Sequence, residues 1–64
     1  MTLGEKLKQA RLDAKLSIRQ AANKLGYKSH DIIFKWENGK RKPKIENLRK
    51  LADAYNVPLQ NLLE

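Results

Sequence analysis

The sequence predicts an all-α domain of five short helices. Apolar residues recur at spacings of three and four along the chain, and no stretch alternates with period two for long enough to make a strand. The breaks between the periodic stretches carry Ser, Gly, Pro and Asn, the residues that cap or stop helices. With 64 residues the expectation is one domain covering 1–64. A chain of this size buries only ~60% of the surface it exposes when unfolded.

The first helix is expected from about Leu3 to Lys15, with Leu3, Leu7, Arg11 and Ala14 stacked on one face. An arginine in that apolar stripe needs a partner. Ser17 followed by Gln20 fits a capping box, so a second helix starts at Ile18. Gly26, able to take positive φ, stops it, and its buried face is Ala21, Ala22 and Leu25. Tyr27 and Lys28 then connect to Ser29, the expected N-cap of a third helix from His30 to about Asn38, where Asp31 suits the positive end of the helix dipole. At 100° per residue Ile33, Trp36 and Glu37 cluster inward, Asp31, Lys35 and Asn38 face outward, and Ile32 and Phe34 lie on the flanks. Gly39 ends this helix, and Lys40-Arg41-Lys42-Pro43-Lys44 is a basic loop in which proline blocks continuation. A fourth helix runs from about Ile45 to Tyr55, burying Ile45, Leu48, Leu51, Ala52 and Tyr55 and ending on Asn56. Pro58 restarts a last short helix carrying Leu59, Leu62 and Leu63.

Composition narrows the function. Fourteen Lys and Arg stand against seven Asp and Glu, a formal charge of +7, which favours a polyanionic partner because each neutralised phosphate releases counterions. Between Lys35 and Lys44 five basic residues accompany one acid, Glu37, so this stretch carries more than half the net charge. Without cysteine there is no disulfide framework, thiol nucleophile or Cys-type zinc site, and a single histidine cannot build a His-based one. Ile32-Ile33-Phe34 is the longest strictly apolar run, far short of a membrane span, and Met1 to Glu5 has no signal-peptide core; the expectation is a cytoplasmic protein with no membrane partner. Ser17, His30 and Asp31 are the residue types of a hydrolytic triad, but Ser17 serves as a cap and His30 and Asp31 are neighbours on different helix faces. The expectation is a non-enzyme with no cofactor, no metal and no evident small-molecule substrate.

Two short helices joined by a tight turn, the second with an outward polar face and a basic loop after it, fit a helix-turn-helix that lays its second helix in the major groove of DNA. The order Leu3-Gly4-Glu5-Lys6-Leu7, Leu16-Ser17, Ala22-Asn23-Lys24-Leu25-Gly26, W-E-N-G-K-R-K-P at 36–43, Leu48-Arg49-Lys50-Leu51-Ala52 and V-P-L-Q-N-L-L at 57–63 resembles the phage repressor and Cro (XRE-type) helix-turn-helix family over nearly the whole chain. The resemblance implies a compact five-helix repressor-type domain that binds double-stranded DNA, as a homodimer on a two-fold site. It implies base-reading roles for His30, Asp31, Phe34 and Lys35, and phosphate contacts for Asn38, Lys40 and Lys42. It also implies a structural ion pair between Arg11 and Glu37, which would give Arg11 its partner. The chain departs from the family pattern in a connection between Gly26 and Ile33 one residue longer, in Ile18 where Gln is common, and in Ala21 where a core Leu is usual.

Residue chemistry sets an alternative beside each role. Lys35 can donate to guanine O6 or N7, or pair with Asp31 one helical turn earlier. Asp31 can accept from a cytosine amino group, or simply stabilise the helix N-terminus. His30 offers a donor and an acceptor, or sits idle in solvent. Phe34 can cover a thymine methyl, or swing toward the space left by Ala21. Trp36 is expected in the core. The rival reading is a protein-interaction module on the same fold, docking through an exposed patch of Ile32 and Phe34.

Overall fold

The first helix begins on a cap that the sequence carries as a T-x-x-E pattern. The Thr2 hydroxyl accepts from the Glu5 N–H at 3.2 Å and the Glu5 carboxylate accepts from the Thr2 N–H at 2.8 Å. That backbone N–H is the main reason the Glu5 carboxyl is held below the usual carboxylate range. The computed structural model describes residues 1–63, and among them are five α-helices and no strand. They are α1 (Leu3–Asp13), α2 (Ile18–Leu25), α3 (Asp31–Glu37), α4 (Ile45–Tyr55) and α5 (Leu59–Leu63). The fold class is all-α, as the periodicity predicts.

Each of the first four helices closes with the same pair of backbone bonds. A left-handed residue turns the chain, and its own N–H and that of the next residue reach back to carbonyls of the last turn. Gly26, Gly39 and Asn56 take that conformation after α2, α3 and α4, and Lys15 takes it at φ 61° after α1. The Leu16 N–H bonds the Arg11 carbonyl at 3.1 Å and the Lys15 N–H bonds the Leu12 carbonyl at 2.9 Å. This corrects the expected end of the first helix, which stops at Asp13 rather than running to Lys15.

The start of α3 is corrected too. His30 occupies the N-cap position in right-handed conformation and supplies no side-chain cap. Ser29 still contributes, accepting from the Asp31 N–H at 3.2 Å.

Packing of α1 against α3, α4 and α5, and of α2 against α3 and α4, encloses one core. Leu7, Ile33 and Leu51 are its most deeply buried large side chains, joined by Ala21, Ala22, Trp36, Leu48, Ala52, Tyr55 and Leu62. Ile45, expected on the buried face of the fourth helix, is 47% exposed because it sits at the first position of α4, and Leu63 at the end of α5 is 55% exposed. Tyr27 seals the turn after α2. Its ring meets Trp36 edge-on at 5.8 Å, and its hydroxyl donates to the Asn47 side-chain oxygen at 3.2 Å.

Tyr55 is buried, and its hydroxyl has no hydrogen-bond partner among the described residues. Burial pushes this phenol up to about 12 from an ordinary 10. A phenol whose pKa is higher in the folded state loses stability as it ionises, so the contribution present below pH 10 fades as pH rises through about 12. Tyr55→Phe is therefore expected to change stability by less than about 1 kcal/mol at pH 7, since it removes an unpaired buried hydroxyl without opening a cavity. Urea titrations at neutral pH and near pH 11 check this: the variant should be relatively more stable at the higher pH.

Candidate nucleic-acid interface

The outward face of α3 forms because its inward face is fixed at three points. Ile33 and Trp36 are buried in the core. Glu37 accepts two bonds from Arg11, from Nε to Oε2 at 2.7 Å and from Nη2 to Oε1 at 3.1 Å, with both side chains under a tenth exposed. The third Arg11 donor, Nη1, bonds the Leu16 carbonyl at 2.8 Å, so one side chain ties α1, the α1–α2 connection and α3 together. Bonding to Glu37 raises the Arg11 guanidinium above its already high pKa, keeping it charged. Gly4 completes the seat. The α1 backbone comes so close to the last turn of α3 that a Cβ there would overlap the Glu37 carbonyl oxygen and stand 3.0 Å from the Trp36 oxygen.

With that side anchored, Asp31, Phe34, Lys35 and Asn38 share the solvent-facing stripe at i, i+3, i+4 and i+7, and all four are exposed. Phe34 is 50% exposed, so it does not fill the space beside Ala21, which is itself fully buried. Among the described residues the one ion pair is Arg11–Glu37, which leaves Asp31 and Lys35 unpaired. His30, also exposed, leads the stripe at the N-cap position.

The C-terminal end of α3 runs into the basic loop without loosening. The Lys40 and Arg41 N–H groups both bond the Lys35 carbonyl, at 3.0 and 3.3 Å, and Asn38 Nδ2 donates to the Phe34 carbonyl at 2.9 Å. Asn38 thus commits one amide hydrogen to closing α3 and has one left to offer outward. Lys40, Arg41, Lys42 and Lys44 are exposed, and Pro43 between them is buried, pinning the loop to the body. The arrangement presents side chains able to donate, accept and make apolar contact from a rigid helix, with cations beside them on backbone-fixed positions. Among the described residues no group of three or more His, Cys, Asp and Glu side chains converges to hold a metal, and no helix is long and apolar enough to cross a membrane.

Sequence reasoning overlooked Gly4 and the Thr2–Glu5 cap. The T-x-x-E spacing was a readable signal for the second; nothing local marks the first.

Comparison with known proteins agrees with this geometry. A family model described as helix-turn-helix matches residues 7–62. The HTH-type transcriptional activator BcrR of Enterococcus faecalis is 38% identical over 63 residues, covering 98% of this chain and 30% of that protein. The HTH-type transcriptional regulator ImmR of Bacillus subtilis (strain 168) is 36% identical over 63 residues, covering 98% of this chain and 49% of that protein. The chain spans about a third to a half of the length of these relatives.

Proposed function

The chain belongs to the helix-turn-helix family, and from that membership we propose that residues 1–64 act as one double-stranded DNA-binding unit of a transcriptional regulator, with α3 lying in the major groove. The observation that carries the reading is the exposed stripe of Asp31, Phe34, Lys35 and Asn38 on a helix braced from behind and followed by a fixed basic loop. His30, Asp31, Phe34 and Lys35 read base edges: Lys35 donates to guanine, Asp31 accepts from cytosine, and Phe34 covers a thymine methyl. Asn38, Lys40 and Lys42 hold phosphates and set the register. Two copies occupy a two-fold site, each placing one α3 in a half-site. No chemistry is catalysed and no cofactor takes part. The setting is the cytoplasm. The regulator acts as a repressor, because a domain bound across a promoter excludes polymerase without further machinery.

Selection of binding sites from random duplex DNA tests the reading, and a two-fold consensus is expected. Binding should weaken steeply with salt, with a slope near −0.9 per phosphate neutralised. Lys40→Ala should reduce that slope by about 1 and weaken all sequences alike, whereas Lys35→Ala should lose discrimination at one base pair by roughly 1–3 kcal/mol. Phe34→Ala should fold normally and lose preference for one thymine. The half-exposed Phe34 beside a partly buried Ile32 also suits protein docking. Loss of a protein partner by Phe34→Ala with DNA binding intact would favour that second reading.

A further inference from the structure

We infer that Asn38 is a site of spontaneous deamidation, at which the Gly39 backbone nitrogen displaces the side-chain amide and leaves a carboxylate among the cations at the C-terminal end of α3. The effect of that carboxylate on DNA rests on the reading of α3 as the helix that enters the groove. The modification itself does not.

The reaction needs an asparagine whose following backbone nitrogen can reach its side-chain carbonyl carbon. Asn23, Asn47, Asn56 and Asn61 are followed by Lys24, Leu48, Val57 and Leu62, each with a side chain that crowds the attacking nitrogen. Asn38 alone precedes a glycine. Both residues are exposed, and a Cβ placed on Gly39 would meet nothing within 4 Å, so a ring formed at this turn has room and water reaches it. In the first step the Gly39 N–H gives its proton to hydroxide, the nitrogen bonds to Asn38 Cγ, and the Cγ–Nδ2 bond breaks as ammonia leaves. Water then opens the cyclic imide at either carbonyl, giving aspartate or its isomer linked through the side-chain carbonyl. Amide and water become acid and ammonia, with no oxidation.

The fold sets the rate. Ring closure requires the Gly39 nitrogen to eclipse Asn38 Cβ, but ψ of Asn38 is 0°, which eclipses it with the nitrogen of Asn38 itself. Asn38 Nδ2 is held by the Phe34 carbonyl at 2.9 Å, and the Gly39 N–H by the Trp36 carbonyl at 3.4 Å. Attack therefore waits on opening of the last turn of α3. That 3.4 Å bond is the longest of those closing the first four helices, so the turn is guarded by a weak link.

An aspartate at this position is ionised at neutral pH. It has no proton to donate, so the Phe34 carbonyl loses its bond and faces an anion. The new charge lies three residues after Lys35 and beside Lys40, Arg41 and Lys42, all exposed, and offsets cations that would otherwise neutralise phosphate.

The test incubates the protein at mildly alkaline pH and follows, by peptide mass spectrometry, the mass gained when an amide NH2 becomes OH. Residue 38 should gain mass several-fold faster than any other asparagine, and several-fold faster again in guanidinium chloride. Asn38→Gln should show no such gain, because glutamine would have to close a larger ring. Gly39→Asn, which keeps a residue tolerant of the left-handed turn, should slow the gain at residue 38. Asn38→Asp and Asn38→Ala then separate the gained charge from the lost amide, with thermal unfolding as the check on folding. Asn38→Asp should bind a mixed-sequence duplex several-fold more weakly and lower the salt slope by about 1, whereas Asn38→Ala should leave the slope unchanged. A gain at residue 38 no faster than at the other asparagines would overturn the site, and equal rates in buffer and denaturant would overturn its control by the fold. Equal salt slopes for Asn38→Asp and the unmodified protein would overturn the effect on DNA. Absence of salt-dependent duplex binding by the unmodified protein would remove the reading of α3 and that effect with it, and the mass gain would still decide the modification.

Discussion

Arg11→Ala is expected to remove about 3–5 kcal/mol of stability, the cost of breaking one half of a buried ion pair. The loss is large because truncation orphans two groups at once. The Glu37 carboxylate, under a tenth exposed, keeps its charge without the two donors at 2.7 and 3.1 Å, and the Leu16 carbonyl loses its bond at 2.8 Å. For a chain of 64 residues the whole folding free energy is roughly 3–10 kcal/mol, so the loss is a large fraction of it and at the low end of that range unfolds the variant in plain buffer. Arg11→Lys should recover only part of the loss, since an ammonium cannot span both carboxylate oxygens and the Leu16 carbonyl with the same planar fork. Replacing Arg11 and Glu37 together by methionine should cost far less than Arg11→Ala, because no charge is then stranded. Urea titration measures all three. A loss below about 1 kcal/mol for Arg11→Ala, with an unchanged denaturant slope, would show that the pair contributes little.

Periodicity showed that Arg11 needs a partner and that Glu37 faces inward, while their pairing was implied only by the resemblance to the XRE-type family, and the difference separates what a sequence carries from what it hides. Arg11 announced itself by interrupting an apolar stripe, and the wheel put Glu37 on the inward face of α3. The same periodicity ordered Asp31, Lys35 and Asn38 outward. The bounds of α4 and the start of α2 followed from residues with strong local preferences, namely Ser17, Pro43 and Asn56. Where no such preference exists the reading slipped. Lys15 turns the chain in a left-handed conformation that lysine does not advertise, since the Leu16 N–H bond to Arg11 and the burial beyond it impose the turn. Ile45 and Leu63 satisfy the apolar pattern yet face solvent, because a wheel has no knowledge of where the neighbouring helix stops.

Gly4 is the position at which local propensity and tertiary structure give opposite signs. Judged as a helix residue, Gly4→Ala should stabilise the protein by up to about 1 kcal/mol, because alanine loses less backbone entropy on forming a helix. The α1–α3 contact predicts the reverse. The new Cβ would overlap the Glu37 carbonyl oxygen, lie 2.9 Å from the Glu37 carbonyl carbon and 3.0 Å from the Trp36 oxygen. These are backbone atoms, and the Trp36 carbonyl already accepts from the Gly39 N–H, so no rotamer change relieves the overlap. Either α1 lifts or the last turn of α3 shifts. In both cases the Arg11–Glu37 bonds lengthen, since those side chains bridge the same two helices. Overpacking of this kind costs about 1–3 kcal/mol and exceeds the propensity gain, so the expected net result is destabilisation. Gly4→Ala and Arg11→Ala should also combine for less than the sum of their separate losses, because the first already loosens the pair that the second removes. Urea titration of both single variants and the double variant measures the coupling. An alanine variant as stable as the parent would mean that α1 and α3 separate freely, and strict additivity would mean that Gly4 and the ion pair act independently.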